Sequence, residues 1–472
     1  MRKKIFIGLL LVIGIGRSQA QTTMTLRQCI ETGIANNFDV QQMQLQSQSD
    51  EANWKQSKLN MFPDLNANAG HSFNQGRSID PFTNSPVTQS FNSSNYSVGS
   101  GVVLFNGLSI QNNIRQNSLA YQAAKMDWQQ EKDNLTINII LAYLQVLSNA
   151  DQLVQAKNQA NLSAQQVERL EVLNKEGAIR PSDLSDLKGQ YAGDQLAIIN
   201  IQNSLETAKI NLSQLMNVPY NKDMALEKIE PASFATRYEE TPDKIYQTAL
   251  EQLAMIKAAD LRKQSAAKAI KVARGQLFPT LQFNGSAFTN YSSVAMLNKY
   301  VNTTDVTSTD YVLVNGSPSQ VIYKRDNFSA NKINYNDQLN NNFFTSFGFN
   351  LNIPIFNALQ QRNRIKQAKI NLKIRELAAG TTKTQLSQAI DQAYINMNTA
   401  SDRYKTILEQ VNAFDESFRA AGIRFQQGVG NSIDYLTAKN NLDRANINLI
   451  IAKYDYVLRT KILDYYQGKQ LW

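Results

Sequence analysis

The chain has 472 residues, a formal net charge of +9, one cysteine and one histidine. With Cys29 as its only cysteine it forms no intrachain disulfide, which excludes the small disulfide-stapled domains, and with His71 as its only histidine it builds no histidine-rich metal site. The positive charge is spread out, with no basic patch interleaved with aromatics, so no nucleic-acid partner is expected, and no cofactor either.

Residues 1–20 read as a secretory signal: Arg2, Lys3 and Lys4, an apolar run from Ile5 to Ile15, then Ser18-Gln19-Ala20. The run falls short of the ~20 apolar residues that a bilayer span needs. Removing it takes away four basic residues and no acid, leaving +5 over 452 residues. Residues 24–61 are expected to be helical, with Cys29 a buried apolar residue, and the helix ends at Phe62-Pro63 because proline cannot continue it. Two strands follow, at 63–74 and 95–105. In Tyr96–Phe105 small polar and apolar residues partly alternate, as a strand with one lipid face requires. His71 is expected at the surface or lumen of the first strand. The Asn-, Ser- and Thr-rich stretch 75–94 between the strands reads as an exposed loop.

From Gly107 to Glu176 there are 70 residues without proline, and at ~1.5 Å per residue a helix over 107–176 reaches about 100 Å. A turn at Gly177 leads into a helix at 181–217. Its apolar seam, Leu184, Leu187, Tyr191, Ile198, Ile201, Leu205, Ala208, Leu212 and Leu215, has 3-4 spacing interrupted by Asp194, and such a seam must pack on another helix. Residues 218–242, with Pro219, Pro231 and Pro242, form an irregular equatorial segment.

The order then repeats: helix 243–277, strands 279–291 and 343–356, helices 358–427 and 432–467. Phe105-Asn106-Gly107-Leu108 recurs as Phe356-Asn357-Ala358-Leu359 and Gly177 as Gly428, each 251 residues later, whereas Phe62-Pro63 recurs as Phe278-Pro279 at 216. The chain is therefore expected to be internally duplicated, 21–242 and 243–472, with 35 extra residues in the loop 292–342 of the second copy. The helix pairs 24–61 with 181–217, and 243–277 with 432–467, match the long helices in summed length and are expected to stack end to end.

Four strands cannot close a barrel in lipid, where any open edge leaves backbone groups unpaired, so several chains must share one. Long helices make a passive porin a poor reading, and paired hairpins at matched positions count against a secreted coiled-coil structural or adhesin protein. No enzyme is expected, since Asp183 and Asp186 resemble a catalytic pair by spacing alone.

The duplicated order, Thr25-Leu26 through Ala35-Asn36-Asn37, the Phe-Pro and Leu-Phe-Asn-Gly junctions, and two glycine turns each followed by an Asp-containing helix start together resemble the TolC family of outer-membrane efflux proteins. The resemblance implies an α+β membrane protein, a homotrimer whose twelve-stranded β-barrel continues into a long periplasmic α-helical barrel. It implies a bacterial outer-membrane exit duct for a tripartite efflux or type I secretion system, embedded in outer-membrane lipid and served by a periplasmic adaptor and an inner-membrane transporter. It also implies a periplasmic aperture that opens by helix rearrangement, to which Asp183, Asp186 and Asp434 contribute, and helix-turn tips at Gly177, Gly428 and Gly430 where the adaptor docks. Family members often carry the paired carboxylates in the second copy. Here Thr437 stands where Asp186 has its counterpart, which puts the charge and selectivity of the aperture in question.

Overall fold

The structure is a computed structural model that describes residues 23–80, 84–229, 240–469 and 471. The signal expected over 1–20 lies outside the described residues, as does much of the equatorial segment. The elements in chain order are α1 (Leu26–Asn36), α2 (Phe38–Leu59), β1 (Asn66–Asn74), β2 (Ser78–Ile79), β3 (Pro86–Val87), β4 (Phe91–Phe105), α3 (Ser109–Lys175) and α4 (Pro181–Met216). After the equatorial segment come α5 (Pro242–Gln252), α6 (Ala254–Gly275), β5 (Thr280–Ser292), β6 (Met296–Val314), β7 (Ser317–Lys332), α7 (Tyr335–Asn341), β8 (Phe344–Asn352), α8 (Gln360–Gln426) and α9 (Ser432–Tyr466). The helices α3 and α8 are each 67 residues long. Among the described residues no helix is long and apolar enough to cross a membrane.

The chain divides into two compact units. One gathers the residues up to Glu51, Leu119–Gln264 and everything from Lys373 on; the other gathers Ala52–Ser118 and Ser265–Leu372.

The second unit is built on an antiparallel sheet of order β1-β4-β5-β8. Its register sorts side chains by face, because alternate residues of a strand point to opposite sides. Ala67, Ala69, Val98, Val102, Phe283, Ala287, Phe347, Phe349 and Leu351 share one face, with the Phe283 and Phe349 rings 5.1 Å apart. Asn66, Asn68, Ser97, Gly99, Gln282, Asn284, Ser286, Ser346 and Asn350 share the other. One face is therefore mainly apolar and fit for lipid, and the other is polar except for the paired Phe288 and Phe344 at its loop end. His71 falls in the parity of the apolar face, at the loop end of β1, with its Nδ1 2.9 Å from Ser94 Oγ. β1 and β8 are left as open edges.

Strand limits differ from those expected in ways that follow from backbone hydrogen bonding. β1 begins at Asn66 rather than at 63, because Asp64 takes its place in the ladder irregularly, its amide donating to Gly101 O and its carboxylate accepting from Gly101 N. β8 ends at Asn352 instead of 356, just before Ile353 and Pro354, whose nitrogen has no proton to donate. The largest correction concerns 292–342. This stretch is not an open loop. It is a hairpin of strands 19 and 16 residues long, followed by the short helix α7. Asn315 and Gly316, both at positive φ, form the two-residue turn that matches the strands' right-handed twist. The stretch 75–94 likewise holds the short β2–β3 ladder and the start of β4.

The first unit holds the main apolar core, where Ile30 of α1, Ile139, Tyr143 and Leu144 of α3, Leu212 and Met216 of α4, Ile245 of α5, Ile390 and Met397 of α8 and Leu463 of α9 meet. Cys29 is fully buried among them, and burial pushes its thiol up to about 11. The seam of α4 is buried or half-buried along its length. Each helix expected to be single, 24–61 and 243–277, is broken once. Asn37 and Leu253 are extended, and they lie 216 residues apart, the same offset that relates the two Phe-Pro stops. At Asn37 the side-chain oxygen accepts from the amides of Asp39 and Val40, capping α2, while its amide nitrogen donates to Leu215 O. At Leu253 the cap comes from elsewhere: Gln130 of α3 accepts from the amide of Met255. The last turn of α4 meets the first break, through Asn217 donating to Asn36 O, and the residue following α9 by two, Gly468, lies against Gln252 at the second.

Candidate functional site

The two reversals between long and short helices lie side by side in the first unit. Each closes in the same way. After α3, the Gly177 amide donates to Asn174 O and the Ala178 amide to Leu173 O; after α8, the Gly428 amide donates to Phe425 O and the Val429 amide to Arg424 O. This double bond pattern uses the carbonyls that a helix end leaves unpaired, and it requires a left-handed residue, supplied by Gly177 at φ +72° and Gly428 at φ +74°. A Cβ at either position would meet no heavy atom within 4 Å. Glycine serves the backbone there, and the surrounding surface is open. Gly430 is different, since its Cβ would lie 3.2 Å from the Phe425 amide nitrogen.

A small apolar core fixes the reversals against each other. Leu170, Leu187 and Tyr435 are buried, the Tyr435 ring stacks on Phe425 at 5.0 Å, and Phe418 lies at 5.4 Å. Burial pushes the Tyr435 phenol up to about 12. Arg169 donates to Gln426 O and Lys188 pairs with Glu171 at 2.8 Å.

The structure brings together two of the three expected aperture residues. Asp183 and Asp186, one helical turn apart at the start of α4, both reach the buried hydroxyl of Ser432, at 2.8 and 3.1 Å. A hydroxyl has one proton, so it donates to one carboxylate at a time. Asp434 stands apart from that pair. It is exposed, its amide is capped by Asn431, and among the described residues its carboxylate has no partner.

A further charged group was not anticipated. Lys439 of α9 is buried to 1% exposure, and its ammonium lies 3.1 Å from Asp194 of α4 and 2.6 Å from Asp443. Asp194 also accepts from Ser163 of α3 at 2.5 Å and from Gln190 at 2.8 Å. Burial raises the Asp443 carboxyl above the usual range, against the pull of Lys439. The signal was present as Asp194, the polar interruption of an apolar seam, because a buried carboxylate must be paired. Its partner lies 245 residues away and no local pattern marks it.

The profile of the outer membrane efflux protein family matches residues 29–218 and 245–464, most of both copies. The chain belongs to that family. It is 20% identical over 364 residues to the outer membrane efflux protein BepC of Brucella suis, covering 76% of this chain and 69% of that one. It is 21% identical over 327 residues to the outer membrane protein TolC of Vibrio cholerae, covering 69% and 66%. The fold agrees with the outer membrane protein VceC of Vibrio cholerae, at a TM-score of 0.73 and 14% identity over 95% of this chain and 97% of that one. It agrees also with the open-state MtrE outer membrane channel of Neisseria gonorrhoeae, at 0.72 and 16% identity over 94% and 89%.

Family membership gives the observations on the sheet their meaning. The protein is an outer-membrane channel of an efflux or type I secretion system and not an enzyme. It works as a homotrimer with a periplasmic adaptor and an inner-membrane transporter. The open edges at β1 and β8 are those of one protomer in a shared barrel.

Proposed function

We propose that the paired helix reversals form the periplasmic entrance of the duct, and that this entrance opens when α8 and α9 rearrange against α3 and α4. The observation that carries the proposal is the Ser432 hydroxyl shared by Asp183 and Asp186, a polar contact between the two reversals at a place held by little apolar area. A part-buried hydroxyl–carboxylate contact of this kind contributes only about 1–3 kcal/mol, so a partner's binding energy suffices to exchange it. MtrE, a relative of the same fold, has been described in an open state.

In this reading Asp183, Asp186 and Asp434 of three chains line the aperture and favour cations, Asp434 most directly because its carboxylate is unpaired. Gly177, Gly428 and Gly430, beside the exposed Val429 and Ile433, are the tips that the adaptor grips. The chain divides into the repeats 21–242 and 243–472, so that a trimer presents six near-equivalent wedges. The equal lengths of α3 and α8 and the matched breaks at Asn37 and Leu253 support that division.

Conductance in planar bilayers tests the aperture. Asp434→Ala is expected to lower cation preference more than Asp183→Ala does, whereas unchanged conductance and selectivity in both variants would remove the ring from the account.

A further inference from the structure

Nearly every described residue of β6 and β7 is exposed, yet the hairpin is firmly anchored. Gln338 of α7, fully buried, donates to Ser292 O and Ile333 O at 3.0 Å each and accepts from the Ser292 amide at 2.8 Å, clasping both ends of the hairpin. The Ile333 amide donates to Ala295 O, and Ser293 and Asn92 exchange hydrogen bonds that tie the base to β4. Using both N–H groups and the oxygen of a buried amide at its base gives the hairpin a fixed direction.

What is held so firmly displays exposed apolar side chains on both sides. Val306 pairs with Tyr323 and Thr307 with Ile322, so Tyr323 and Ile322 point to opposite faces. Towards the turn Tyr311 and Leu313 lie on one face and Val312 and Val314 on the other, with Leu313 77% exposed and Ile322 66%. A two-stranded hairpin of this length, about 50 Å at ~3.3 Å per residue, is marginal in water on its own, and its two edges carry unpaired backbone groups. Apolar side chains displayed on both faces call for two covering surfaces.

We infer that β6–β7 is an interaction surface for the same hairpin of neighbouring copies, so that three hairpins pack around the exit of the duct. The inference rests on the trimer. Three features favour a second copy over a foreign partner. The hairpin leaves the sheet between β5 and the edge strand β8, so it continues an interface that the barrel already makes between copies. A member of a three-fold ring has a neighbour on either side, which matches two apolar faces, and repeating one contact closes after three. Residues 296–332 carry four basic and three acidic side chains in mixed order, a balance suited to like packing on like and not to a charged partner or an anionic surface. The first copy of the repeat has only the two-residue strands β2 and β3 at this place, so three hairpins and not six would ring the exit.

The test uses the full-length protein purified in detergent, in a Cys29→Ala background that leaves no other thiol. Leu313→Cys treated with a short bismaleimide is expected to join most chains in pairs. A second variant, in which Leu297–Asn331 is replaced by Asn-Gly, is expected to remain trimeric by light scattering but to dissociate at a lower temperature. A trimer by light scattering with no interchain link and an unchanged dissociation temperature overturns the inference while leaving the trimer intact. So does a Leu313→Cys thiol that resists a bulky maleimide on whole cells yet gives no links once purified, because a foreign partner then covers the tip.

Discussion

At the junction between sheet and long helix, two residues in a row take left-handed conformations in each copy: Gly107 and Leu108, then Ala358 and Leu359. Only the first of these four is glycine. A Cβ on Gly107 would lie 2.3 Å from Gly275 O and 2.8 Å from Phe278 Cβ, so the absence of a side chain there serves both the turn and the close approach of α6. Ala358 carries a left-handed strain of about 1–2 kcal/mol without glycine's relief. Opposite outcomes are therefore expected from mirror substitutions. Ala358→Gly should raise the thermal midpoint, by the equivalent of about 1 kcal/mol, and Gly107→Ala should lower it by about 1–3 kcal/mol from overpacking added to strain. Thermal unfolding followed by circular dichroism measures both. The repeated Phe-Asn-Gly/Ala-Leu string showed in the sequence that the junction recurs. Its tightness in the first copy did not show, because Gly275 approaches from an element 168 residues away.

Helices were legible to the extent that their causes are local. Seventy residues without proline and a glycine stop sufficed for α3, α8 and the turns after them, and a 3-4 seam for α4. Breaks inside helices were legible only in part. Asn37 carries its own cap in its side chain, whereas the break at Leu253 is capped by Gln130, which no reading of residues 243–277 could supply. The hairpin was missed for a different reason. Asn315-Gly316 after Val312-Leu313-Val314 is half of a hairpin signal, but the polar Ser317-Pro318-Ser319-Gln320 that follows, in a segment rich in Asn, Ser and Thr, reads as loop. Among contacts between elements, the Lys439 pair is the one whose loss should be felt most. Lys439→Met leaves Asp194 and Asp443 buried without a counter-charge and is expected to cost about 3–5 kcal/mol. Replacing Lys439, Asp194 and Asp443 together by apolar residues of similar size should restore most of it. Denaturation midpoints of the single and triple variants decide the matter, and equal losses in both would show that packing and not charge holds the helices here.

For the whole molecule, the fold follows from one unpaired requirement. A four-stranded sheet with a mainly apolar face and a mainly polar face has two edges that lipid cannot satisfy, and other copies of itself pair with them in the shared barrel. The long helices follow the same rule in water, where their apolar seams are covered by neighbours. Sequence alone carried this reading to several chains sharing one barrel; the number three came from resemblance to a family, since nothing in strand pattern counts subunits. The candidate entrance was legible as residues and turns, but the Ser432 link that joins its halves depends on three-dimensional packing. The most direct measurement pairs cysteines across the open edges in the Cys29→Ala background, one at Ala67, Ala69 or His71 of β1 and one at Thr345, Phe347 or Phe349 of β8. The account predicts that at least one pair links every chain to the next and yields a covalently closed trimer on denaturing gels. A panel that produces only unlinked chains from a correctly folded membrane protein would contradict it.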